Sequence, residues 1–128
     1  YAEIYQDFNT DKPITTLFGC GGDRDKTKRK ITGRIVDRYS SRIFITEDNS
    51  RSEEFNLIAK DILRGIKKKS KCIIEKSRKN ALRRLITQSR SRDMNFILGK
   101  GNESYIIRGK QKIRHNDMKY IMEMIKKA

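Results

Sequence analysis

The sequence is poor in the residues that build disulfide scaffolds, zinc sites and membrane spans. Its 128 residues include two cysteines, one histidine, one proline and no tryptophan. Cys20 and Cys72 are too few for a disulfide framework, and with His115 as the only histidine they make no zinc-binding pattern. No apolar run exceeds four residues, which excludes a membrane-spanning segment and the core of a signal peptide. We therefore expect a protein of a reducing, cytoplasmic compartment.

Negative charge is scarce in the second half of the chain. The sequence has 31 lysines and arginines against 16 acidic residues, a formal net charge of +15. Residues 1–64 hold 12 basic and 11 acidic side chains, whereas residues 65–128 hold 19 and 5. A basic half of this kind makes a nucleic-acid-binding module one hypothesis and a solvated basic face the other. No strand shows the aromatic residues interleaved with cations that an RNA-binding sheet needs, which favours the solvated face.

The spacing of apolar residues predicts alternating strands and helices in a single domain, residues 1–128. Hydrophobic residues make up 35% of the chain, which suffices for one core but not for two. The Tyr1 start suggests a piece of a longer protein, and residues 1–10 are expected to hold a remnant helix near the domain start. The predicted strands are 14–19, 42–47, 71–75, 94–98, 104–108 and 111–114. The predicted helices are 27–39, 53–66 with Ser52 as N-cap, 78–90 and 116–127.

This alternation is typical of a parallel sheet with helical crossovers. We expect an α/β fold, a three-layer, Rossmann-like, doubly wound domain with a mostly parallel sheet and an antiparallel C-terminal hairpin at one edge. The alternative is an α+β fold with helices on one face. That fold would require half-polar strands, and most of the predicted strands are apolar on both faces.

Three loops have unusual sequences where ligands of such sheets bind, beyond the carboxyl ends of the strands. They are residues 19–26, 48–51 and 99–103, which follow the first, second and fourth strands. A dinucleotide-binding GxGxxG motif from Gly19 would need glycine at Arg24, and no GxxxxGK[ST] phosphate loop is present. The glycines after the first strand form either a tight turn or a place where the backbone approaches a ligand.

These loops carry charges of both signs. Arg24 and Arg51 have the two-pronged geometry that binds a carboxylate, and Asp48 and Glu103 can accept hydrogen bonds from an ammonium group. Such a set suits a zwitterion, for example an amino acid, better than a nucleic acid, which requires only cations. From spacing alone, the alternative is that the four side chains form ion pairs with one another.

Three segments resemble the C-terminal domain of the Mur ligases that add the third peptide residue to the cell-wall precursor. They are LFGCGGDRDKTKR at 17–29, ITEDNSRSEE at 45–54 and ILGKGNESY at 97–105, and the similarity covers the chain in order. The resemblance implies an ATP-dependent amide ligase of peptidoglycan biosynthesis, with ATP and Mg²⁺ held mainly by a central domain that this sequence lacks. It also implies a monomeric, cytoplasmic bacterial enzyme that acts on meso-diaminopimelate and UDP-MurNAc-L-Ala-D-Glu, without nucleic acid or membrane partners. The isolated domain is not expected to ligate alone.

The resemblance further implies a substrate-binding set that includes the DNPR motif of diaminopimelate-adding members, present here as DNSR. The set is Arg24, Asp48, Asn49, Arg51, Gly99 and Glu103. Arg24 and Arg51 would hold carboxylates of diaminopimelate, and Asp48 and Glu103 would hold an amino group. The backbone of Gly99 would add a hydrogen bond. No residue of the chain is expected to be catalytic or to ligate a metal.

Two positions depart from the family pattern. Ser50 replaces a proline, which loosens the turn but keeps both charged ends of the motif, and Asn102 replaces the histidine of GKGHE. Retention of Arg51 favours diaminopimelate over lysine, because lysine lacks the distal carboxylate and would leave the guanidinium unpaired at a cost of about 2–5 kcal/mol. Asp23 and Lys26 either face a nucleotide on the missing domain or are solvated loop charges.

Two remaining side chains have no expected role in chemistry. Cys20 is expected to be a small buried residue at a strand end rather than a nucleophile, because no histidine stands near it to activate the thiol. His115, just before the last helix, is expected to be exposed to solvent.

Overall fold

The computed structural model describes residues 2–8, 10–100 and 103–127, and its elements follow the predicted order. The helices are α1 (Ala2–Phe8), α2 (Thr27–Tyr39), α3 (Phe55–Leu63), α4 (Arg78–Gln88) and α5 (Asp117–Lys127), with a short 3-10 helix at Lys69–Lys71. The strands are β1 (Ile14–Phe18), β2 (Arg42–Ile45), β3 (Cys72–Ile74), β4 (Met94–Ile97), β5 (Tyr105–Arg108) and β6 (Gln111–Arg114). Within the described ranges, no helix has both the length and the apolar character needed to cross a bilayer.

Four of the strands form one parallel sheet in the order β3-β2-β1-β4. Strand β1 is central, with Thr15 opposite Arg42 of β2 and Ile14 opposite Met94 of β4. The chain adds β2 and β3 on one side of β1 and then crosses to the other side for β4. The carboxyl ends of β1 and β4 therefore flank a topological switch point, where ligand crevices form in such sheets. The predicted parallel sheet is confirmed.

Helices cover both faces of this sheet. Helices α2 and α3 pack on one face around Phe18 and Ile43. Helices α4 and α5 pack on the other face around Leu17 and Phe44. Leu17 and Phe18 point to opposite faces because side chains alternate along a strand, and both are fully buried. The doubly wound, three-layer architecture is confirmed.

Strands β5 and β6 form a separate two-stranded antiparallel sheet rather than an edge of the main one. The hairpin is attached through Arg51, whose amide donates to the Ile107 carbonyl at 3.2 Å and whose carbonyl accepts from the Gly109 amide at 2.7 Å. The predicted hairpin is confirmed, but its predicted place at the sheet edge is wrong. The loop after β2, instead of an edge strand, supplies the hydrogen-bonding partner.

Two local predictions are also wrong. Glu54, not Ser52, occupies the N-cap of α3, and the hydroxyl of Ser52 instead donates to the Asp23 carboxylate at 2.6 Å. His115 is only 4% exposed, and its Nε2 lies 2.6 Å from Oδ1 of Asp117. In both cases a polar partner made available by the fold overrides the local pattern.

Candidate functional site

A cavity of about 470 Å³ lies at the carboxyl ends of β1, β2 and β4. Three of the predicted residues line it, namely Arg24, Asp48 and Gly99, and each comes from a different loop. Gly99 has a φ of 103°, a conformation that glycine adopts readily because it lacks a Cβ. The three loops thus meet at one rim of the sheet.

Arg51 does not line this cavity but lines a second one of about 330 Å³, and it lies close to Arg24. A Cβ on Gly21 would stand 3.1 Å from Nη1 of Arg51 and 3.4 Å from Cγ of Arg24, so the two arginines flank this glycine. Nη1 of Arg51 donates to the carbonyls of Gly22 and Asn49 at 3.0 and 3.3 Å. Among the described residues, no other side-chain hydrogen bond of Arg51 is present. Its Nε and Nη2 therefore remain available for a carboxylate.

The loop between β2 and α3 has a strained backbone. Asn49 and Arg51 have φ values of 49° and 53°, in the left-handed region, which costs a non-glycine residue about 1–2 kcal/mol. The Asn49 amide oxygen accepts from the Ile107 amide at 2.8 Å, so the hairpin holds this loop at both residues. Ser50, which stands where the family pattern has proline, is buried between them. Backbone strain of this kind is concentrated at binding and catalytic sites.

The most deeply buried charge at the site belongs to Lys100, which is not among the residues predicted from the sequence. Its side chain is inaccessible to solvent, and Nζ lies 2.6 Å from Oδ1 of Asn49 and 3.0 Å from Oδ1 of Asp48. The same Nζ is 3.1 Å from the Tyr105 carbonyl and 3.4 Å from Oε1 of Glu103. The two carboxylates thus share Lys100, and in the described part of the chain neither pairs with an arginine. The alternative of four mutual ion pairs is wrong.

A second buried cation, Arg29, shapes the glycine-rich loop. Its guanidinium donates to the Gly21 carbonyl at 2.9 Å, to both Glu53 oxygens at 2.9 and 3.0 Å, and to Asp61 at 3.0 Å. The hydrogen bonds from Arg29 lower the pKa of Glu53 to about 2, so the pair is charged at neutral pH. Glu53 in turn accepts from the Asp23 amide at 2.7 Å. Arg29 was not predicted because a cation is expected on an exposed face, although it stands seven residues before Val36 and thus on the buried face of α2.

The comparisons with known proteins agree with the sequence motifs. A family model described as Mur ligase, glutamate ligase domain, matches residues 2–101. The chain belongs to the Mur ligase family.

Several curated relatives of this Mur ligase domain carry the name UDP-N-acetylmuramoyl-L-alanyl-D-glutamate–2,6-diaminopimelate ligase. The relative in Wolinella succinogenes is 40% identical over 96% of this chain and 28% of that protein. The relative in Helicobacter pylori is 41% identical over 94% of this chain and 27% of that protein. The chain therefore spans little more than a quarter of the length of these relatives. A solved structure with the same name has a TM-score of 0.90 at 24% identity over 98% of this chain and 26% of its own, which shows a shared fold.

The predicted nucleotide-facing residues of this Mur ligase domain contact other residues of the same chain. The Asp23 carboxylate accepts from the Ser52 hydroxyl at 2.6 and 2.8 Å. Lys26 is largely exposed, with its Nζ 4.0 Å from the Glu53 carboxylate. Their orientation toward a nucleotide stays a prediction. Asn102, the other departure from the family pattern, lies outside the described residues.

Cys20 lines the cavity but is not activated. Burial raises the pKa of its thiol to about 11, so the thiol is neutral at physiological pH. Cys20 is partly rather than fully buried, and its neutral thiol supports the expectation that it is not a nucleophile. A larger cavity of about 670 Å³, lined by His115 and Tyr120 among others, lies elsewhere and includes none of the predicted site residues.

Proposed function

We propose that this chain is the amino-acid-binding domain of an ATP-dependent ligase that adds meso-diaminopimelate to UDP-MurNAc-L-Ala-D-Glu. One observation carries the proposal: Arg24, Asp48 and Gly99 line one cavity at the switch point of the sheet, and Arg51 lies beside its Gly21. Relatives at about 40% identity are named for this ligation, and support it. Since the chain spans little more than a quarter of those relatives, the proposal concerns a longer protein that contains it.

The arginines fit the carboxylate end of the ligand. Arg24 is exposed and makes no hydrogen bond or ion pair with any described residue, so its whole guanidinium is available. Arg51 offers Nε and Nη2, the edge that forms two parallel hydrogen bonds with a carboxylate. Lysine lacks the second carboxylate, so this pair of arginines favours diaminopimelate.

The acidic residues fit the ammonium group of the ligand. Asp48 and Glu103 contact Lys100 through Oδ1 and Oε1, which leaves their other carboxylate oxygens available as acceptors. Glu103 is 43% exposed at its side chain, and Asp48 lines the cavity, so a ligand can reach both. We infer that these two residues hold the amino group next to the carboxylate bound by the arginines.

The residues of this chain do not fit ATP or Mg²⁺. The sequence has no phosphate-binding GxxxxGK[ST] motif. Among the described residues, no three His, Cys, Asp or Glu side chains form a group that could hold a metal ion. We therefore assign both to other parts of the longer protein. A bacterial cytoplasmic location and a monomeric state are part of the proposal, and the two free cysteines suit a reducing compartment.

The test measures kcat/KM of the full-length protein for diaminopimelate and for L-lysine after Arg51→Ala. We expect the value for diaminopimelate to fall by about 30-fold or more, because a buried charge contact is lost, while the KM for ATP stays within about twofold. The value for lysine, which has no distal carboxylate, should change little. Arg24→Ala should give the same pattern without loss of stability.

The matched control is Arg38→Ala on the exposed side of α2, which should leave every constant unchanged. An unaltered KM for diaminopimelate in both Arg51→Ala and Arg24→Ala would contradict the proposal.

A further inference from the structure

We infer that Lys100 is a positioning residue for the acidic pair Asp48 and Glu103, whose net charge it sets, so that this pair accepts one ligand ammonium and no more. The inference rests on the proposed function and extends it to a residue and to a class of ligand. Lys100 itself does not reach the ligand, because its side chain is fully buried under the residues that do.

The geometry makes Lys100 the common contact of three separate segments. Its Nζ lies within 3.4 Å of oxygens on Asp48 and Asn49 after β2, on Glu103 after β4, and on the Tyr105 carbonyl in β5. An ammonium group has only three hydrogens, so these oxygens must converge on one point to share them. Without that point, nothing else described in the structure brings the Asp48 and Glu103 carboxylates together.

The charges of Asp48, Glu103 and Lys100 determine which ligand group this cluster can bind. Asp48 and Glu103 contribute two negative charges and Lys100 one positive charge, so this three-residue cluster by itself carries one net negative charge. A single ligand ammonium neutralises that charge. Without Lys100, two adjacent carboxylates would repel each other, and one would move toward water or take up a proton.

The neighbouring arginines complete the definition of the ligand class. Arg24 and Arg51 both flank Gly21, and Arg24 lines the same cavity as Asp48, so a carboxylate on these arginines lies at the same rim as an ammonium on the acidic pair. The site therefore fits the zwitterionic end of an α-amino acid. An end with a lone ammonium would leave the arginines unpaired, and an end with a lone carboxylate would leave the acidic pair unpaired.

The experiment compares two ligands in two forms of the full-length protein. The ligands are diaminopimelate and 2-aminopimelate, which keeps both carboxylates but lacks the second ammonium. The proteins are the wild type and Lys100→Met, whose side chain has a similar length and no charge. We expect the ratio of kcat/KM for the two ligands to fall by about tenfold or more in Lys100→Met, because the acidic pair is no longer aimed at the ammonium.

A merely structural role would lower kcat/KM for both ligands equally and leave their ratio unchanged, and that result would overturn the inference. Lys60→Met, an exposed lysine on α3, is the control and should alter neither value. If Lys100→Met does not fold, Lys100→Gln decides in the same way, because it also removes the charge while its amide can still donate to the surrounding oxygens. A wild-type protein that does not use diaminopimelate would instead refute the proposed function, which is a separate outcome.

Discussion

Single residues at this site adopt conformations that are unfavourable in isolation. Arg51 holds a left-handed backbone, and its amide and carbonyl are fixed by hydrogen bonds to Ile107 and Gly109. The hairpin thus stabilises a backbone that arginine would otherwise avoid, and the guanidinium is directed toward the loop after β1. Glycine would adopt this backbone more readily, so what arginine adds at this position is its guanidinium.

Replacement of Arg51 by glycine and by alanine separates these two effects. Both variants lose the guanidinium, but only alanine keeps the steric cost of the left-handed backbone. We therefore expect Arg51→Gly to have a free energy of unfolding about 1 kcal/mol higher than Arg51→Ala, measured by urea denaturation. Both should bind diaminopimelate equally weakly. Equal stability of the two variants would show that the backbone at this position relaxes in the absence of arginine.

At the scale of elements, helices α2 and α3 approach each other closely because two glycines face the contact. A Cβ on Gly33 in α2 would stand 2.3 Å from the Ile62 carbonyl of α3, and one on Gly65 would stand 2.0 Å from the Lys30 carbonyl. Backbone atoms cannot move aside as a flexible side chain does. The position of α3, and with it the Glu53 carboxylate that holds the first loop, depends on this contact.

Gly33→Ala should therefore destabilise the domain although alanine is the better helix former. Helix propensity favours alanine by about 1 kcal/mol, whereas overpacking against backbone costs about 1–3 kcal/mol. We expect a net loss of roughly 1 kcal/mol in the free energy of unfolding, seen as a lower urea midpoint. Arg34→Ala, next in α2 and exposed, should change stability by less than about 0.5 kcal/mol. A more stable Gly33→Ala variant would mean that the two helices separate at little cost.

At the scale of the whole molecule, buried ion pairs link stability to pH. Burial opposes ionisation of Asp117, but hydrogen bonds from Arg78 and His115 outweigh it and lower the pKa to about 2. Arg78 also donates to the carbonyls of Glu47 and Leu98, the residues just before the two site loops. The buried pair of Arg78 and Asp117 therefore also supports the rim of the site, through these two carbonyls.

The domain should lose stability as the pH falls from about 5 to about 2. The pKa of Asp117 and that of Glu53 are depressed in the folded state, so their contributions are present above the ordinary carboxyl pKa and disappear as each folded-state group is protonated. We expect a loss on the order of 2 kcal/mol for each carboxyl, measured by urea denaturation across this pH range. Asp117→Asn should be less stable at pH 7 and show a shallower decline. A flat profile in the unsubstituted protein would contradict the assigned ion pairs.

Much of the fold could be predicted from the sequence because it is encoded locally. Apolar spacing marked every strand and the helices α2 to α5, and their alternation indicated a doubly wound sheet whose strand ends carry the site loops. The mixed charge of those loops, which include Arg24, Asp48 and Arg51, could also be predicted because it is encoded locally. Each of these properties depends on residues that are near one another in the chain.

Only the tertiary structure shows which buried side chains connect the loops of the site. Lys100 looks like one more basic residue in a basic sequence, and only the fold buries its ammonium among oxygens from segments about 50 residues apart. The placement of the hairpin, the burial of His115 and the role of Arg29 follow equally from partners distant in sequence or from packing between layers. A sequence pattern specifies which face of an element is apolar, whereas the pairing of buried charges depends on distances that exist only after the elements have packed.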